Sequence, residues 1–332
     1  MRVLSVFFLM SFLIKSIFFF LLGKKIELLK FVFFLLVSIN INFNTIANEL
    51  VNKNERICKV VKGKLEAFGD KPLAREISLL LLEATEKGCG QIVFELVSIG
   101  AIVDTRDKHA NTPLIMSADS GHLDILKFLQ KNGGNINHKN LRGKTALLEA
   151  IKKNRKKVVK YLLTQDVEIN FRSLDNETPL AAAAFNGSTR FVKSLLDKGA
   201  DPKFIDETGK SAIVYAAAKG FHDIVKILLD AGVKPNTRYG NDLTILMWAS
   251  GHTDDTPKDD ALKTIKTLIN SGVEIDVIDN RGMTALMYAS ERNNYYVVEK
   301  LLDSGANKDI KNKKGLIALE LATNTKVKEL LE

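Results

Sequence analysis

The chain has 332 residues, 48 Lys and Arg against 39 Asp and Glu, a formal charge of +9 and two cysteines. Residues 1–47 inflate that charge with five basic residues and one acidic residue; without them 43 basic face 38 acidic, or +5, a mild excess that does not point to nucleic acid. Length alone suggests two domains, an expectation that the periodicity of the chain overrides.

Residues 1–47 read as an apolar leader outside the fold. Val3 to Leu22 is a 20-residue apolar run broken by Lys15. One central Lys costs about 2.5–3.5 kcal/mol on the insertion scale, and its sixteen apolar residues at about 0.3–0.6 kcal/mol each more than offset it, so the run has the character of a bilayer span. Phe31 to Ile39 is nine residues, short for a span and right for the apolar region of a signal peptide. Lys24, Lys25 and Lys30 precede it, and Thr45-Ile46-Ala47 offers a small-residue cleavage site before Asn48. Two readings stay open: a signal peptide that begins near Gly23, or a membrane hairpin through residues 3–47 with the Lys24-Lys25 loop in the cytoplasm. Both place the rest of the chain outside the cytoplasm, periplasmic, membrane-anchored or secreted. The leader and the Lys/Asn/Ile-rich composition suggest a bacterial source.

Residues 48–77 read as an N-terminal helical cap segment, with one helix expected over Glu55–Phe68. Cys58 and Cys89 both fall in the capping region. In an oxidising compartment such a pair tends to bridge, so a Cys58–Cys89 disulfide tying the leading helix to the first repeat is expected, with two packed thiols as the alternative. From Ile77 a degenerate unit begins: Leu79-Leu80-Leu81 lies 33 residues before Thr112, and Gly88 lies 33 before Gly121.

The triplets at Thr112, Thr145, Thr178, Ser211 and Thr244 each lie 33 residues apart; Thr284 follows after 40 and Ile317 after 33 again. A fixed period in this range means a solenoid. Gly143, Gly209, Gly282 and Gly315 sit where a turn needs positive φ. The Thr or Ser of each triplet can cap a helix, and Pro113 and Pro179 suit a first turn. Second helices carry paired apolar residues, such as Val158, Val159, Leu162 and Leu163, that face a neighbouring unit. The pattern predicts an all-α solenoid of about eight helix-turn-helix units over residues 78–332, with degenerate caps at both ends. The seven extra residues of the 40-residue step predict an inserted loop near 252–260.

These residues resemble the ankyrin repeat, D-x-x-G-x-T-P-L-H-x-A-A followed by G-H, I-V, L-L and G-A-D. One departure is systematic. The His after T-P-L is replaced by Ile115, Leu148, Ala181, Val214, Met247, Met287 and Glu320, so softer turns are expected. His122 and His222 sit in or beside the G-H position and read as structural. The resemblance implies a partner held on a concave face by turn tips and first-helix ends. By position these include Lys108, His109, Asn111, Arg142, Lys144, Lys152, Lys153, Phe185, Lys210, Lys219, Arg281 and Arg292. Over all tip and helix-end positions eleven residues are Lys or Arg and five are acidic, which suggests an acidic protein segment as partner. The run Lys152–Lys160, with Arg155, Lys156 and Lys157, concentrates that charge. Nucleic acid is disfavoured, since export would separate the two and no aromatic stacking surface interleaves the charges in sequence. Tyr215, Trp248 and Tyr288 share one repeat position and form either an aromatic strip or part of the core, the core being the preferred reading.

The acidic finger His252, Asp254, Asp255, Asp259, Asp260 has cation-ligand chemistry but matches no EF-hand or zinc spacing, and a solvated loop is expected there. His109 and His138 have no acid or nucleophile at useful spacing, and no Ser-His-Asp set, Cys-His pair or phosphate-binding Gly loop occurs. The expectation is a monomeric, non-enzymatic protein-binding module without metal or cofactor. The alternatives are a secreted effector that binds a host protein and a metal-dependent activity at the finger.

Overall fold

The computed structural model describes residues 54–69, 72–251 and 256–332. The leader of residues 1–47, and His252, Asp254 and Asp255, therefore lie outside the described residues. Among those described, no helix is long and apolar enough to cross a membrane. Packing divides the chain into two units, Met1–Lys62 and Gly63–Glu332. In the first, the described residues are 54–62, and they are helical, part of a helix over residues 54–67 (α1) where one was expected over Glu55–Phe68.

The second unit holds eight helix pairs: Ala74–Lys87 (α2) with Gly90–Ser98 (α3), Pro113–Ser120 (α4) with Leu123–Lys131 (α5), Ala146–Lys152 (α6) with Lys156–Leu162 (α7), Pro179–Phe185 (α8) with Thr189–Asp197 (α9), Ala212–Ala218 (α10) with His222–Asp230 (α11), Ile245–Ser250 (α12) with Lys258–Asn270 (α13), Ala285–Glu291 (α14) with Tyr295–Asp303 (α15), and Ala318–Leu321 (α16) with Thr325–Leu331 (α17). Each first helix packs on the first helix of the next pair, and the second helices form a layer behind them. This is the all-α solenoid that the period predicted.

Local chemistry sets the helix ends. Thr112, Thr145, Thr178, Thr244 and Thr284 each accept a hydrogen bond from the backbone N–H three residues on, satisfying an orphan donor of the first turn. Small residues bring the first helices close: Ala118, Ala150, Ala183, Ala216 and Ala289 are fully buried or nearly so. The second helices bury a repeating stripe, Ile125-Leu126-Leu129, Val158-Val159-Leu162, Phe191-Val192-Leu195, Ile224-Val225-Leu228 and Val297-Val298-Leu301. At about 1.5–3 kcal/mol for each buried large aliphatic side chain, these stripes stabilise the stack together with the equally buried Leu114, Leu147, Leu180, Ile213, Leu246 and Leu286 of the first helices. One continuous core runs from Leu114 to Leu331.

The missing His leaves the turns to be closed by other side chains. In five repeats an Asp or Asn side chain closes the turn by accepting from the N–H groups two and four residues on: Asp107 from His109 and Asn111, Asn140 from Arg142 and Lys144, Asp206 from Thr208 and Lys210, Asp279 from Arg281 and Met283, and Asn312 from Lys314 and Leu316. In two of them a phenol fastens the same carboxylate to the first helix. Tyr215 and Tyr288 donate to Asp206 and Asp279, each at 2.7 Å.

A second ladder, passed over in the sequence, joins successive repeats on the connection that follows each second helix. The Asn137 side chain donates to the Asp166 carbonyl and accepts from the Glu168 N–H. Asn170 does the same with Gly199 and Asp201, and Asn236 with Gly272 and Glu274. Asp104 and Asp276 supply acceptor-only rungs to the Asn135 and Asn307 N–H groups. Lys203 occupies the rung between Asn170 and Asn236, since it lies 33 residues from each.

Two boundaries move. The division drawn at 77/78 falls inside α2, which starts at Ala74 because the Glu76 carboxylate accepts from the Leu73 N–H and so caps the helix early. The inserted segment is not loop throughout. Lys258, Asp259 and Asp260 form an extra first turn of α13, which has 13 residues where α5, α9, α11 and α15 have nine. Two carboxylates at the positive end of a helix favour coiling there, and Ala261 and Ile265 continue the buried stripe.

Candidate protein-binding face

Turn tips and first-helix ends come together along one side of the repeats. Backbone hydrogen bonds hold the tips in register: the Leu141 N–H donates to the His109 carbonyl at 3.0 Å, Leu174 to Arg142 at 2.8 Å, Gly240 to Gly209 at 2.8 Å and Lys313 to Arg281 at 3.0 Å. Between the third and fourth tips side chains make the link, as Asn176 and Arg172 both reach the Glu207 carboxylate.

The proposed binding residues divide into three groups. On the first tip Lys108 and His109 are exposed, while Asn111 is held between Asp107 and Asn140.

In the middle of the face four cations have acidic partners, while Lys156, Lys157 and Lys160 of the predicted basic run are exposed. Lys144 pairs with Asp175 at 2.8 Å and Glu177 at 3.5 Å, Lys152 with Glu177 at 2.6 Å, Arg142 with Asp175 at 3.4 Å and Lys153 with Asp119 at 3.9 Å. The cations come from one repeat and most of the acids from the next. Burial works to lower the Lys144 ammonium, but the Asp175 bond and the surrounding carboxylates outweigh it and raise its pKa. The bond from Lys144 holds the Asp175 carboxyl below its ordinary range. Glu149, overlooked in the sequence, stands four residues past Thr145, the position that Tyr215, Trp248 and Tyr288 fill elsewhere. Burial raises its pKa, and Lys144 beside it works the other way. Arg155 has a structural contact as well: its guanidinium donates to the Asp119 carbonyl at 2.6 Å and packs over Gly121. His122 takes the same seat one repeat earlier, over Gly88 and 3.4 Å from the Glu86 carbonyl, a structural role.

The third group runs from α8 to α14, and here cations sit over rings. The Lys219 ammonium lies 5.2 Å from the Phe185 centroid. Phe185 meets Tyr215 edge to face at 6.0 Å. The Lys210 ammonium lies 5.9 Å from Tyr215 and 5.2 Å from Trp248, bridging two repeats. Trp248 and Tyr288 share a notch with Arg281 and Arg292. Arg281 lies 5.4 Å from the Tyr288 ring, donates to its hydroxyl and approaches Asp279 at 3.4 Å. Tyr215, Trp248 and Tyr288 are half-buried, and Trp248 and Tyr288 pack against the core on one side, so these two belong to both core and strip. Rings and cations do interleave here, through residues 30 to 38 apart in the chain that meet only across repeats, although Lys210 and Lys219 lie over the ring faces. Burial and the bond to Asp206 push the Tyr215 phenol up to about 12, and burial and Asp279 raise Tyr288 in the same direction.

Cys58 lies on α1 and Cys89 immediately before α3, and neither is a free thiol. Among the described residues no group of His, Cys, Asp and Glu is arranged to hold a metal ion. Asp259 and Asp260, the described part of the acidic finger, belong to a helix turn.

A family model described as ankyrin repeats, in three copies, matches residues 81–173, 167–239 and 236–312, more than half of the chain.

Proposed function

The chain belongs to the ankyrin repeat family, a protein–protein interaction module, and from that premise we propose that it captures a partner protein with acidic segments on its tip face, outside the cytoplasm and without chemistry of its own. The observation that carries this reading is the division of labour within each repeat. Stripe, cap, turn and ladder positions are occupied by folding contacts, while tip and helix-end positions change from repeat to repeat, and Lys108, Leu141, Leu174, Phe185 and Lys219 among them are open to solvent. A rigid frame with variable exposed positions is what selective capture requires.

Placement outside the cytoplasm rests on the apolar leader and on the cysteines. Neither Cys58 nor Cys89 is a free thiol, which suits an oxidising compartment. Fractionation and protease accessibility on intact cells test the location, and retention of the whole chain in the cytosol would refute it. Photo-crosslinkers placed at Lys219 on the tip face and at Lys226 on the exposed side of α11 test the surface. Products are expected from position 219 alone, and equal yield from 226 would refute the assignment.

A further inference from the structure

The geometry points to one seat on that face: the row Phe185, Tyr215, Trp248 and Tyr288 with its cations binds an extended acidic peptide segment whose carboxylates recur at about every third residue. This rests on the reading above and narrows it. The middle of the face has its cations matched by acids already, and a partner carboxylate there has to displace Asp175 or Glu177. Along the row, among the described residues, no carboxylate comes within ion-pair distance of Lys210, Lys219 or Arg292. A ring face attracts a cation without cancelling its charge, so these groups keep their charge for an incoming anion.

The rings are held in place before anything binds. Tyr215 and Tyr288 spend their hydroxyls on Asp206 and Asp279, and little rotamer freedom is left to lose on docking. Successive packed helices lie about 8–10 Å apart, and an extended chain advances about 3.3 Å per residue. One repeat therefore matches about three peptide residues, with apolar side chains between the carboxylates resting on ring edges. Single-stranded nucleic acid is the competing polyanion. It stacks bases on open ring faces, and here Lys219 covers Phe185 while Lys210 covers both Tyr215 and Trp248.

Trp248 is the single Trp of the chain, so its emission reports occupancy of the row. The probe is a fluorescein-labelled synthetic peptide of Glu-Ser-Leu repeats, with Lys-Ser-Leu repeats and a uridine oligonucleotide as comparisons, added to the protein from Asn48 onward with its cysteines oxidised. The acidic peptide is expected to raise anisotropy and to change Trp248 emission over the same concentration range. The exposed-site variant K219E/R292E is expected to weaken it about tenfold, the equivalent of about 1.4 kcal/mol, with an unchanged melting temperature. The off-face variant K226E/K266E, with the same change of charge on the exposed sides of α11 and α13, is expected to stay within about twofold of the parent. Peptide binding with silent Trp248 emission, or with an equal or larger loss in K226E/K266E, overturns the seat and leaves protein capture to another part of the surface. Tighter binding of the oligonucleotide overturns the occupant. No anisotropy change with the acidic peptide overturns the proposal outright, while crosslinking at position 219 judges protein capture independently.

Discussion

Asp279 shows how much one side chain carries in a turn without the family's His. Its carboxylate accepts from the N–H groups of Arg281 and Met283 and from the Tyr288 hydroxyl. Burial works to raise its pKa, but these bonds outweigh that and hold it below the ordinary carboxylate range. A carboxyl with a depressed folded value contributes stability that is complete above its unfolded pKa of about 3.9 and is lost as pH falls through the folded value. Asp107 and Asp206 shift the same way, so the repeats are expected to lose stability together below about pH 4. Replacing Asp279 by Asn keeps the two turn bonds, as Asn312 does naturally, but gives up the phenol's acceptor. About 1 kcal/mol of loss at neutral pH is expected, with a shallower fall in acid, measured by urea titration across pH. Glu149 has the opposite sign: burial raises its pKa, so Glu149→Gln should help the fold most at neutral pH and least in acid. The same titrations check it, and a variant destabilised at neutral pH but not in acid would show that the Lys144 contact outweighs burial instead.

Between neighbouring repeats, a short set of contacts recurs with the period, and two can be altered cleanly. Lys203 interrupts the Asn ladder, and its side chain reaches within 3.9 Å of the Cβ position above Gly232. Lys203→Asn is expected to restore the rung by donating to the Gly232 carbonyl and accepting from the Lys234 N–H, a gain of about 1 kcal/mol; an unchanged midpoint in urea would show that this step is too wide for the rung. Gly187 is the reverse case. It sits at φ +66°, and a Cβ there would meet the Phe221 ring at 2.6 Å, so Gly187→Ala is expected to cost about 1–3 kcal/mol. What was legible in the sequence follows from this periodicity. Helix stripes, Thr caps and turn glycines repeat at fixed spacing and depend only on the local chain. The Asn ladder also repeats, yet polar residues in loops read first as turn formers. The ion pairs and the ring-cation row could not be read, because Lys152 meets Glu177, and Lys210 meets Trp248, only once neighbouring repeats are set in register. The extra turn at Lys258–Asp260 was hidden by a charge run that reads equally well as loop.

At the scale of the Gly63–Glu332 unit, the repeats form a nearest-neighbour system. Every interior pair buries its stripe against its neighbours, whereas α16 and α17 are short, at four and seven residues. In such a stack stability is close to a sum of repeat and interface contributions, so opening starts at the weakest end. Here the interface α15 offers α17 is answered by Val327 and Leu331, the two buried residues of that last helix, against three in each of α5, α9, α11 and α15. Amide exchange is therefore expected to be slowest in α8 to α11 and progressively faster through α16 and α17. Val327→Ala should speed exchange in α14 to α17 while leaving α4 to α9 unchanged, since additive interfaces do not transmit the loss across several repeats. Uniform acceleration along the whole unit would instead mean that it opens as one cooperative body. The distinction bears on binding, because the ring-cation row spans α8 to α14 and so lies largely over the repeats predicted to open last. A partner docked there meets a surface that is already ordered, and loosening the C-terminal pair with Val327→Ala should leave peptide affinity within about twofold, as expected for a contact outside the site.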